Sequence, residues 1–306
     1  MELKFYTKCN LRCRYCFVRS GDYNRDFCIE KTHLLEWMAK TIEFKECNDL
    51  EIHIACYGEF LMHPQATEII ADLRNFSQIR VISAQSNGLL LTKERINALK
   101  AAGLDRLNIS LNSLDEQKCN YLCRTKKYNL EKLLKMFDYI LDAGMDLLIA
   151  PVWFFRVNDE GIEQIITLTK ELQQKYGEQR VLLGIQNYLE YRTGRKINKT
   201  RERDFPYFYE QLENLEAKHD IILKLGPADF GIHPAKALVP PLSLEEVSKV
   251  QILMPGRFSY EYIAALNPDW AVKVLSRGHH RPGDIIEVKV VRSNLHGNLM
   301  TAKFIP

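Results

Sequence analysis

The feature that most constrains the fold is a strand pattern followed by a helix pattern, repeated through the first two thirds of the 306-residue chain. Short apolar runs alternate with longer stretches whose apolar residues recur three and four positions apart. The predicted strands span residues 3–6, 51–56, 79–85, 106–111, 146–152 and 180–186, and the predicted helices span residues 29–46, 64–76, 92–102, 129–143, 159–175 and 205–218. Such alternation predicts an α/β fold with a parallel sheet and right-handed crossovers, in the form of a partial (βα)6 TIM-like barrel.

Several predicted helix ends carry the residue types that helix ends favour. Thr92 and Asn129 stand where side-chain oxygens can accept from the first free amides of a helix, and Gly103 and Gly144 stand just after helix ends. In a parallel sheet of this kind, functional sites lie at the carboxyl ends of the strands.

The composition changes after Pro240 and Pro241. Short β-like runs follow, separated by turn signals such as PGR and RPGD. We therefore predict a barrel domain over residues 1–225, a linker over 226–240 and a small five-stranded β-barrel over 241–306.

Bulk properties exclude several classes of protein. The longest apolar run, residues 147–155, is half a membrane span and contains a proline, so we expect no membrane segment. Eight cysteines are too sparse and uneven for a disulfide scaffold. The cytoplasm is the expected compartment. A net charge of +3 neither demands nor excludes a nucleic-acid partner. Eight residues precede Cys9, which predicts no N-terminal accessory domain.

Three of the cysteines crowd into one loop directly after the first predicted strand. Cys9, Cys13 and Cys16 follow the pattern C-x3-C-x2-C, which suits three thiolate ligands of an iron–sulfur cluster. A structural zinc site wants a fourth ligand, and the sequence has no second C-x2-C pair. The remaining alternative is three unrelated surface thiols. A cluster with three protein ligands leaves one iron open, which is a catalytic feature.

This loop, with Tyr15 before Cys16, resembles that of the radical S-adenosylmethionine (radical SAM) enzymes. The resemblance implies a [4Fe-4S] cluster whose open iron chelates S-adenosylmethionine. It further implies reductive cleavage of that cofactor to a 5′-deoxyadenosyl radical, which abstracts hydrogen from the substrate. An electron donor such as a ferredoxin or flavodoxin is an implied partner. Tyr15 joins the expected cofactor-binding residues.

A second segment, CYGEFLMHP, follows the second predicted strand and is similar to the family's Gly-Gly-Glu-Pro segment, which binds the methionine amino group. Tyr57 replaces the first Gly and Phe60 replaces the Pro. Gly58 and Glu59 keep the central pair, so the resemblance implies that they retain the role with altered backbone detail.

Two further segments, SNGLLLT and ISLNS, follow the third and fourth predicted strands. They are similar to the family segments that flank the ribose and carboxylate of the cofactor. The resemblance implies roles for Ser86, Asn87, Ser110 and Asn112, the last standing where many relatives have Asp.

Two more positions are candidate cofactor contacts. Arg124 could pair with the methionine carboxylate, because a guanidinium offers a bidentate fork; the alternative is a solvated loop arginine. In APVWFF, the backbone at Val152 is placed to hold adenine, whereas the side chains there suit ordinary barrel core.

The remaining cysteines and loop histidines have weaker interpretations. Cys28 and Cys47 are interpreted as small buried apolar side chains or as thiols without a chemical role. Cys119 and Cys123 could donate hydrogen to a product radical or hold part of a second cluster, and a structural role is the alternative. The histidines of RGHHRPGD, residues 277–284, could ligate metal or contact phosphate, and plain surface residues are the alternative.

The substrate is predicted from the basic loop and the tail. Residues 192–203 form a basic loop after the sixth predicted strand, and the tail resembles the TRAM-type or OB-like β-barrels that accompany RNA-modifying enzymes. These features favour RNA, and tRNA in particular, as substrate. A peptide or small metabolite is the alternative substrate, and a non-enzymatic iron–sulfur RNA-binding protein is the alternative class.

Overall fold

The structure is a computed structural model that describes residues 1–18, 27–191, 194–230, 232–256, 258–293 and 299–306. The described chain divides into two compact units between Ala235 and Lys236. This division falls within the segment 226–240 that the sequence gives as a linker.

The first unit is built on a parallel sheet, six-stranded in the described part of the chain, in which each strand pairs with its neighbours in the order β1-β2-β3-β4-β5-β7. The strands of this unit are β1 (Glu2–Leu3), β2 (Leu50–Ile54), β3 (Ile79–Ser86), β4 (Arg106–Ile109), β5 (Asp146–Ile149), β6 (Val152–Trp153), β7 (Val181–Leu183) and β8 (Gln186–Asn187). The predicted α/β fold with a parallel sheet is confirmed.

Helices connect the strands and pack on one face of the sheet. They are α1 (Lys31–Lys45), α2 (Ala66–Leu73), α3 (Lys93–Ala101), α4 (Glu116–Cys123), α5 (Leu130–Asp142), α6 (Asp159–Tyr176) and α7 (Phe205–His219), with short 3-10 turns at Phe60–Met62 and Pro227–Phe230. In the part of the chain that the structure describes, no helix is both long and apolar enough to cross a membrane.

The fifth and sixth predicted strands are wrong in length, because each breaks into two. Pro151 has no amide hydrogen to donate to the ladder, and β5 ends before it. Beyond the break, β6 leaves the large sheet and pairs in parallel with β8. The Gln186 amide donates to the Pro151 carbonyl at 2.8 Å, so the two breaks lie side by side.

The two faces of the large sheet differ in chemistry. One face presents apolar residues such as Ile52, Ile82 and Leu107, which are fully buried in one core with the helices. On β2, β3 and β4, and directly after β4, the other face carries a group of polar residues: Glu51, His53, Ser83, Gln85, Arg106, Asn108 and Ser110. Parallel sheets are usually apolar on both faces. This polar face is therefore reserved for something other than core packing.

The local chemistry of the helix ends matches the sequence prediction at two positions. Thr92 Oγ1 accepts from the Arg95 amide at 3.3 Å, and Asn129 Oδ1 accepts from the Lys132 amide at 2.8 Å. The sequence prediction missed α4, which begins after Asp115, whose carboxylate accepts from the Gln117 amide at 2.8 Å. Asp at this position is a helix-start signal that was overlooked because the helix is short.

The second unit is a small β-barrel, closed by five strands in its described residues, with neighbours in the order β10-β11-β13-β12-β9. Its strands are β9 (Val247–Pro255), β10 (Glu261–Asn267), β11 (Trp270–Leu275), β12 (Ile285–Arg292) and β13 (Met300–Phe304). Inward residues such as Val272, Val288 and Ala302 are fully buried. His280 bonds Ser276 Oγ at 2.7 Å and packs edge-on against Phe304, which gives it a structural role.

Candidate functional site

The cysteine loop follows β1 and is packed tightly against the segment after β2. A Cβ added to Gly58 would lie 2.0 Å from the carbonyl oxygen of Lys8, the residue before Cys9. The Glu59 amide donates to the same carbonyl at 2.9 Å. Only glycine permits this backbone approach, so Gly58 joins the two segments that the sequence singles out.

The missed helix α4 holds the middle of the cysteine loop. The Arg14 amide donates to the Leu122 carbonyl at 2.8 Å, and Arg14 Nε donates to the Tyr121 carbonyl at 2.9 Å. The Arg14 guanidinium also lies over the Tyr121 ring, 4.6 Å from its centroid. These contacts bring the C-terminal end of α4 against the residue after Cys13.

Residues near the start of the basic loop also contact the cysteine loop. Arg195 Nη1 donates to the Cys13 carbonyl and the Arg195 amide donates to the Cys16 carbonyl, both at 2.9 Å. A Cβ on Gly194 would lie 3.1 Å from Phe17 Cα. Part of the basic loop therefore supports the cysteine loop.

The three thiols of Cys9, Cys13 and Cys16 are free of disulfides. In the described ranges, no three His, Cys, Asp or Glu side chains converge as a ready site for a single metal ion. A four-iron cluster takes each thiolate at a different iron, so it requires ligands spread around a cube. A side-chain hydrogen bond with Cys123 lowers the pKa of Cys13 and favours its thiolate.

Glu59 is a buried hydrogen-bond centre between β2 and β3. Its Oε1 accepts from Ser86 Oγ at 2.8 Å and from the Leu61 amide at 3.3 Å, and its Oε2 accepts from the Asn87 amide at 2.8 Å. Burial raises the pKa of the Glu59 carboxyl. A carboxylate offers about four lone-pair sites, so these bonds leave one acceptor site on Oε2.

Asn87 connects this centre to the cysteine loop. Its Nδ2 donates to Asn10 Oδ1 at 2.8 Å, and Asn10 directly follows Cys9. Three residues predicted from two segments, Glu59, Ser86 and Asn87, are thus joined in one network.

Asn112 is the centre of a second network. Its Nδ2 donates to Tyr15 Oη at 2.7 Å and its Oδ1 accepts from the Val152 amide at 2.8 Å. The Asn112 carbonyl and the Val152 carbonyl both accept from Asn158 Nδ2, at 2.8 and 3.0 Å. Both backbone polar groups of Val152 therefore have partners within the protein, and its predicted contact with adenine stays a prediction.

The other two predicted residues lie apart from these networks. Ser110 Oγ accepts from Gln85 Nε2 at 2.9 Å on the polar face of the sheet. Arg124 ends α4 with a left-handed backbone, φ 52°, and its side chain is exposed. The cofactor contacts predicted for Ser110 and Arg124 stay predictions.

Sequence reasoning missed three residues that position the site: Gln85, Asn158 and Arg195. Gln85 had a usable signal, since it stands two residues after Ser83 and alternates with the apolar residues Ile82 and Ala84. Asn158 and Arg195 act through contacts distant in sequence, and nothing local identifies them.

Aromatic and basic side chains share the surface around the start of α7. The exposed aromatic residues are Tyr191, Phe205, Tyr207 and Tyr209, and Lys199 and Arg201 are exposed beside them in the sequence. Arg203 lies over the Tyr207 ring, 5.3 Å from its centroid. Tyr191 also contacts Phe17 of the cysteine loop, with ring centroids 5.6 Å apart.

The structure places a loop with three free cysteine thiols beside the carboxyl edge of a parallel α/β sheet. The sequence profile of the Radical SAM superfamily matches residues 3–169, and the chain belongs to that superfamily. Its members are enzymes that use a [4Fe-4S] cluster and S-adenosylmethionine to form a 5′-deoxyadenosyl radical.

Two relatives are similar in sequence. The uncharacterized protein MJ0103 of Methanocaldococcus jannaschii is 28% identical over 327 residues, covering 100% of this chain and 75% of that protein. The GTP 3′,8-cyclase of Peptoclostridium acidaminophilum is 31% identical over 200 residues, covering 64% of this chain and 57% of the cyclase.

Solved structures share the fold at low identity. Streptococcus suis SuiB bound to S-adenosylmethionine has a TM-score of 0.55 and 16% identity, covering 76% of this chain and 52% of that chain. HydG, a maturase of the [FeFe]-hydrogenase, has a TM-score of 0.56 and 15% identity, covering 75% of this chain and 53% of that chain. The chain thus spans about half the length of these two proteins.

Proposed function

We propose that the chain is a radical SAM enzyme whose [4Fe-4S] cluster is held by Cys9, Cys13 and Cys16, on a partial (βα)6 TIM-like barrel. The observation that carries this proposal is the C-x3-C-x2-C loop, braced by Gly58 and Arg195, within the segment that matches the superfamily. Three protein thiolates leave one iron free for a cofactor.

The donor set fits S-adenosylmethionine. Glu59 is buried, keeps one acceptor site, and makes no ion pair in the described part of the chain, so an ammonium group would complete its bonding. Gly58, Ser86 and Asn87 hold this carboxylate in place. The remaining proposed cofactor contacts are Tyr15, Ser110, Asn112, Arg124 and Val152.

When bound, the cluster and S-adenosylmethionine supply one-electron chemistry that yields the 5′-deoxyadenosyl radical. The chain's own residues orient the cofactor and shield it from water. Asn112 fixes Tyr15 and Val152 by hydrogen bonds. The half-buried Tyr15 ring packs against the buried Phe154 ring, with centroids 4.9 Å apart, and the pair forms an apolar wall beside the cysteine loop. An apolar wall excludes water, which protects a reactive radical.

RNA, and tRNA in particular, is the proposed substrate. The surface around α7 combines stacking surfaces, such as Phe205 and Tyr209, with the exposed cations Lys199 and Arg201. This pairing of aromatic and basic groups suits unpaired nucleotides. The five-stranded barrel, which we propose to be TRAM-like or OB-like, would add a second RNA contact. A cytoplasmic location and a ferredoxin or flavodoxin donor complete the proposal.

A free nucleotide is the second candidate substrate, in the small-metabolite class. The polar face of the sheet favours it, because Gln85, Asn108 and Ser110 offer amide and hydroxyl groups that suit a base or sugar. Several relatives at about this level of similarity are named GTP 3′,8-cyclases.

Anaerobic reconstitution tests the enzyme class. The wild-type protein should bind four irons and release 5′-deoxyadenosine on reduction, while Cys9→Ala, Cys13→Ala and Cys16→Ala should each lose the cluster. Cys47→Ala, at a thiol outside the cysteine loop, is the matched control. This variant should keep the cluster and release 5′-deoxyadenosine. A wild-type protein without a cluster would contradict the proposal.

Salt-dependent binding separates the two substrates. RNA should bind with an affinity that falls steeply as salt rises, and Lys199→Ala with Arg201→Ala should reduce that slope. GTP should then give no substrate-dependent consumption of S-adenosylmethionine. The opposite result, turnover with GTP and no binding of tRNA, would favour the free nucleotide.

A further inference from the structure

One end of the small barrel carries two stacked aromatic rings. Phe258 and Tyr260 lie in the segment between β9 and β10, with ring centroids 5.7 Å apart and ring planes 10° from parallel. Phe258 is half-buried, whereas Tyr260 is 43% exposed. A further flat ring can extend an exposed stack of this kind, and every nucleobase has such a face.

The backbone between β9 and β10 holds the two rings in place. The Gly256 amide donates to the Glu261 carbonyl at 2.6 Å, and the Glu261 amide donates to the Phe258 carbonyl at 2.9 Å. A Cβ added to Gly256 would lie 2.6 Å from the Glu261 Cβ, so glycine permits the close return of the chain. A surface that is fixed before binding loses less conformational entropy when a ligand docks.

A second segment, the connection between β11 and β12, lies at the same end of the barrel. The Ser276 amide donates to the Tyr260 carbonyl at 2.9 Å, and Tyr262 Oη donates to the Gly278 carbonyl at 2.8 Å. These bonds join the connection to the segment that carries the rings. Arg277, which directly follows Ser276, is exposed there.

The charges of this connection favour an anionic partner. Arg277 and Arg281 are both exposed, and neither guanidinium makes an ion pair within the described part of the chain. Asp284 is the one carboxylate in residues 276–284, and it accepts from the Arg281 amide at 2.7 Å. Exposed guanidinium groups suit phosphate, because they present paired donors in a fixed plane.

We propose that the stacked rings of Phe258 and Tyr260, with Arg277 and Arg281 at the same end of the barrel, bind an unpaired nucleobase of RNA and its flanking phosphates. This inference rests on the proposed function, in which RNA is the substrate, and it assigns the base-stacking contact to named residues. The rings supply stacking, which tolerates any base, and the guanidinium groups supply the salt-dependent part of the affinity. Bases within a duplex are stacked on one another, so the site selects single strands.

The test is fluorescence anisotropy of the reconstituted full chain with a labelled single-stranded RNA of mixed sequence and with a labelled RNA duplex. Tyr260→Ala should weaken binding of the single strand about 5- to 150-fold, the range for loss of one base stack, and should change duplex binding little. Tyr260→Phe keeps the ring and should bind as the wild type does. Trp37→Ala is the matched control, because Trp37 is 59% exposed on α1, and its affinity should equal that of the wild type.

The salt dependence separates the two kinds of contact. Arg277→Ala should reduce the slope of log affinity against log salt by about one, whereas Tyr260→Ala should leave this slope unchanged. Urea denaturation of each variant measures whether the barrel still folds. Arg277 is an exposed side chain, so its variant keeps the inference testable even if Tyr260→Ala unfolds the barrel.

Several outcomes would overturn the inference. Single-strand affinity that is unchanged in a folded Tyr260→Ala would show that the ring does not contact RNA. An equal loss in Tyr260→Phe, or equal weakening of single-strand and duplex binding, would show that the contact is not a base stack. Wild-type protein that binds neither RNA would refute the proposed RNA substrate as well, whereas binding that persists in the variants refutes this inference alone.

Discussion

Gly58→Ala tests whether the close approach of two backbone segments builds the site. The added Cβ would lie 2.0 Å from the Lys8 carbonyl oxygen and 2.6 Å from the Thr7 carbonyl carbon. Both contacts are with backbone, so no side-chain rotation relieves them, and the chains must separate by about 1 Å to reach 3.0 Å. That movement weakens the bond from the Gly58 amide to the Tyr6 carbonyl, 3.2 Å, and the bond from the Glu59 amide to Lys8, 2.9 Å.

The expected cost is the sum of these effects. Two backbone hydrogen bonds contribute about 1 kcal/mol each and overpacking about 1 to 3 kcal/mol, so the free energy of unfolding should fall by about 3 to 5 kcal/mol. Urea denaturation measures it, and iron content after reconstitution should fall as Cys9 shifts. Gly226→Ala is the control, because its nearest neighbour would lie at 3.7 Å. An unchanged stability and iron content in Gly58→Ala would refute this reasoning.

Three further predictions concern the two networks and the basic loop. Asn112→Leu removes the hydrogen-bond partners of Tyr15 Oη and the Val152 amide and should lower the free energy of unfolding by about 2 to 4 kcal/mol. Asn112→Asp keeps an acceptor for the Val152 amide and should lower it less. Urea titration of both variants measures the difference. Burial raises the pKa of the Glu59 carboxyl, so the free energy of unfolding of the wild type should fall as pH rises from the ordinary pKa of 4.5 towards the raised one. Glu59→Gln should remove this contribution to the pH dependence of the unfolding free energy, which urea titrations at several pH values measure. Arg195→Ala, which loses the bond to the Cys13 carbonyl, should speed cluster loss in air relative to Arg195→Lys, followed by the visible absorbance of the cluster.

The parallel sheet could be predicted from the sequence because apolar residues are spaced differently in strands and helices, and the two kinds of segment alternate clearly along the chain. The prediction failed where the local pattern and the backbone chemistry conflict. The apolar run 146–152 has the pattern of one strand, but Pro151 interrupts its hydrogen bonding and β6 pairs in a second sheet. Helix α4 was missed for a related reason, since its eight residues are too few for a periodic signal to stand out.

The candidate site was predictable in its parts and not in its connections. Glu59, Ser86 and Asn87 could be singled out because the segments that hold them resemble those of a known family, and the structure joins them by hydrogen bonds. The role of Arg195 depends on contacts between distant segments, which composition and spacing do not encode. The bonds that Asn112 and Asn158 make with the Val152 backbone are contacts of the same kind.

The unequal faces of the large sheet restrict how this sequence can vary. Because side chains alternate along a strand, inserting or deleting a single residue within β2, β3 or β4 would turn Glu51, Ser83 or Asn108 into the helix-covered core and expose its apolar partners. Length changes among homologous chains should therefore gather in the connecting segments and skip these strands.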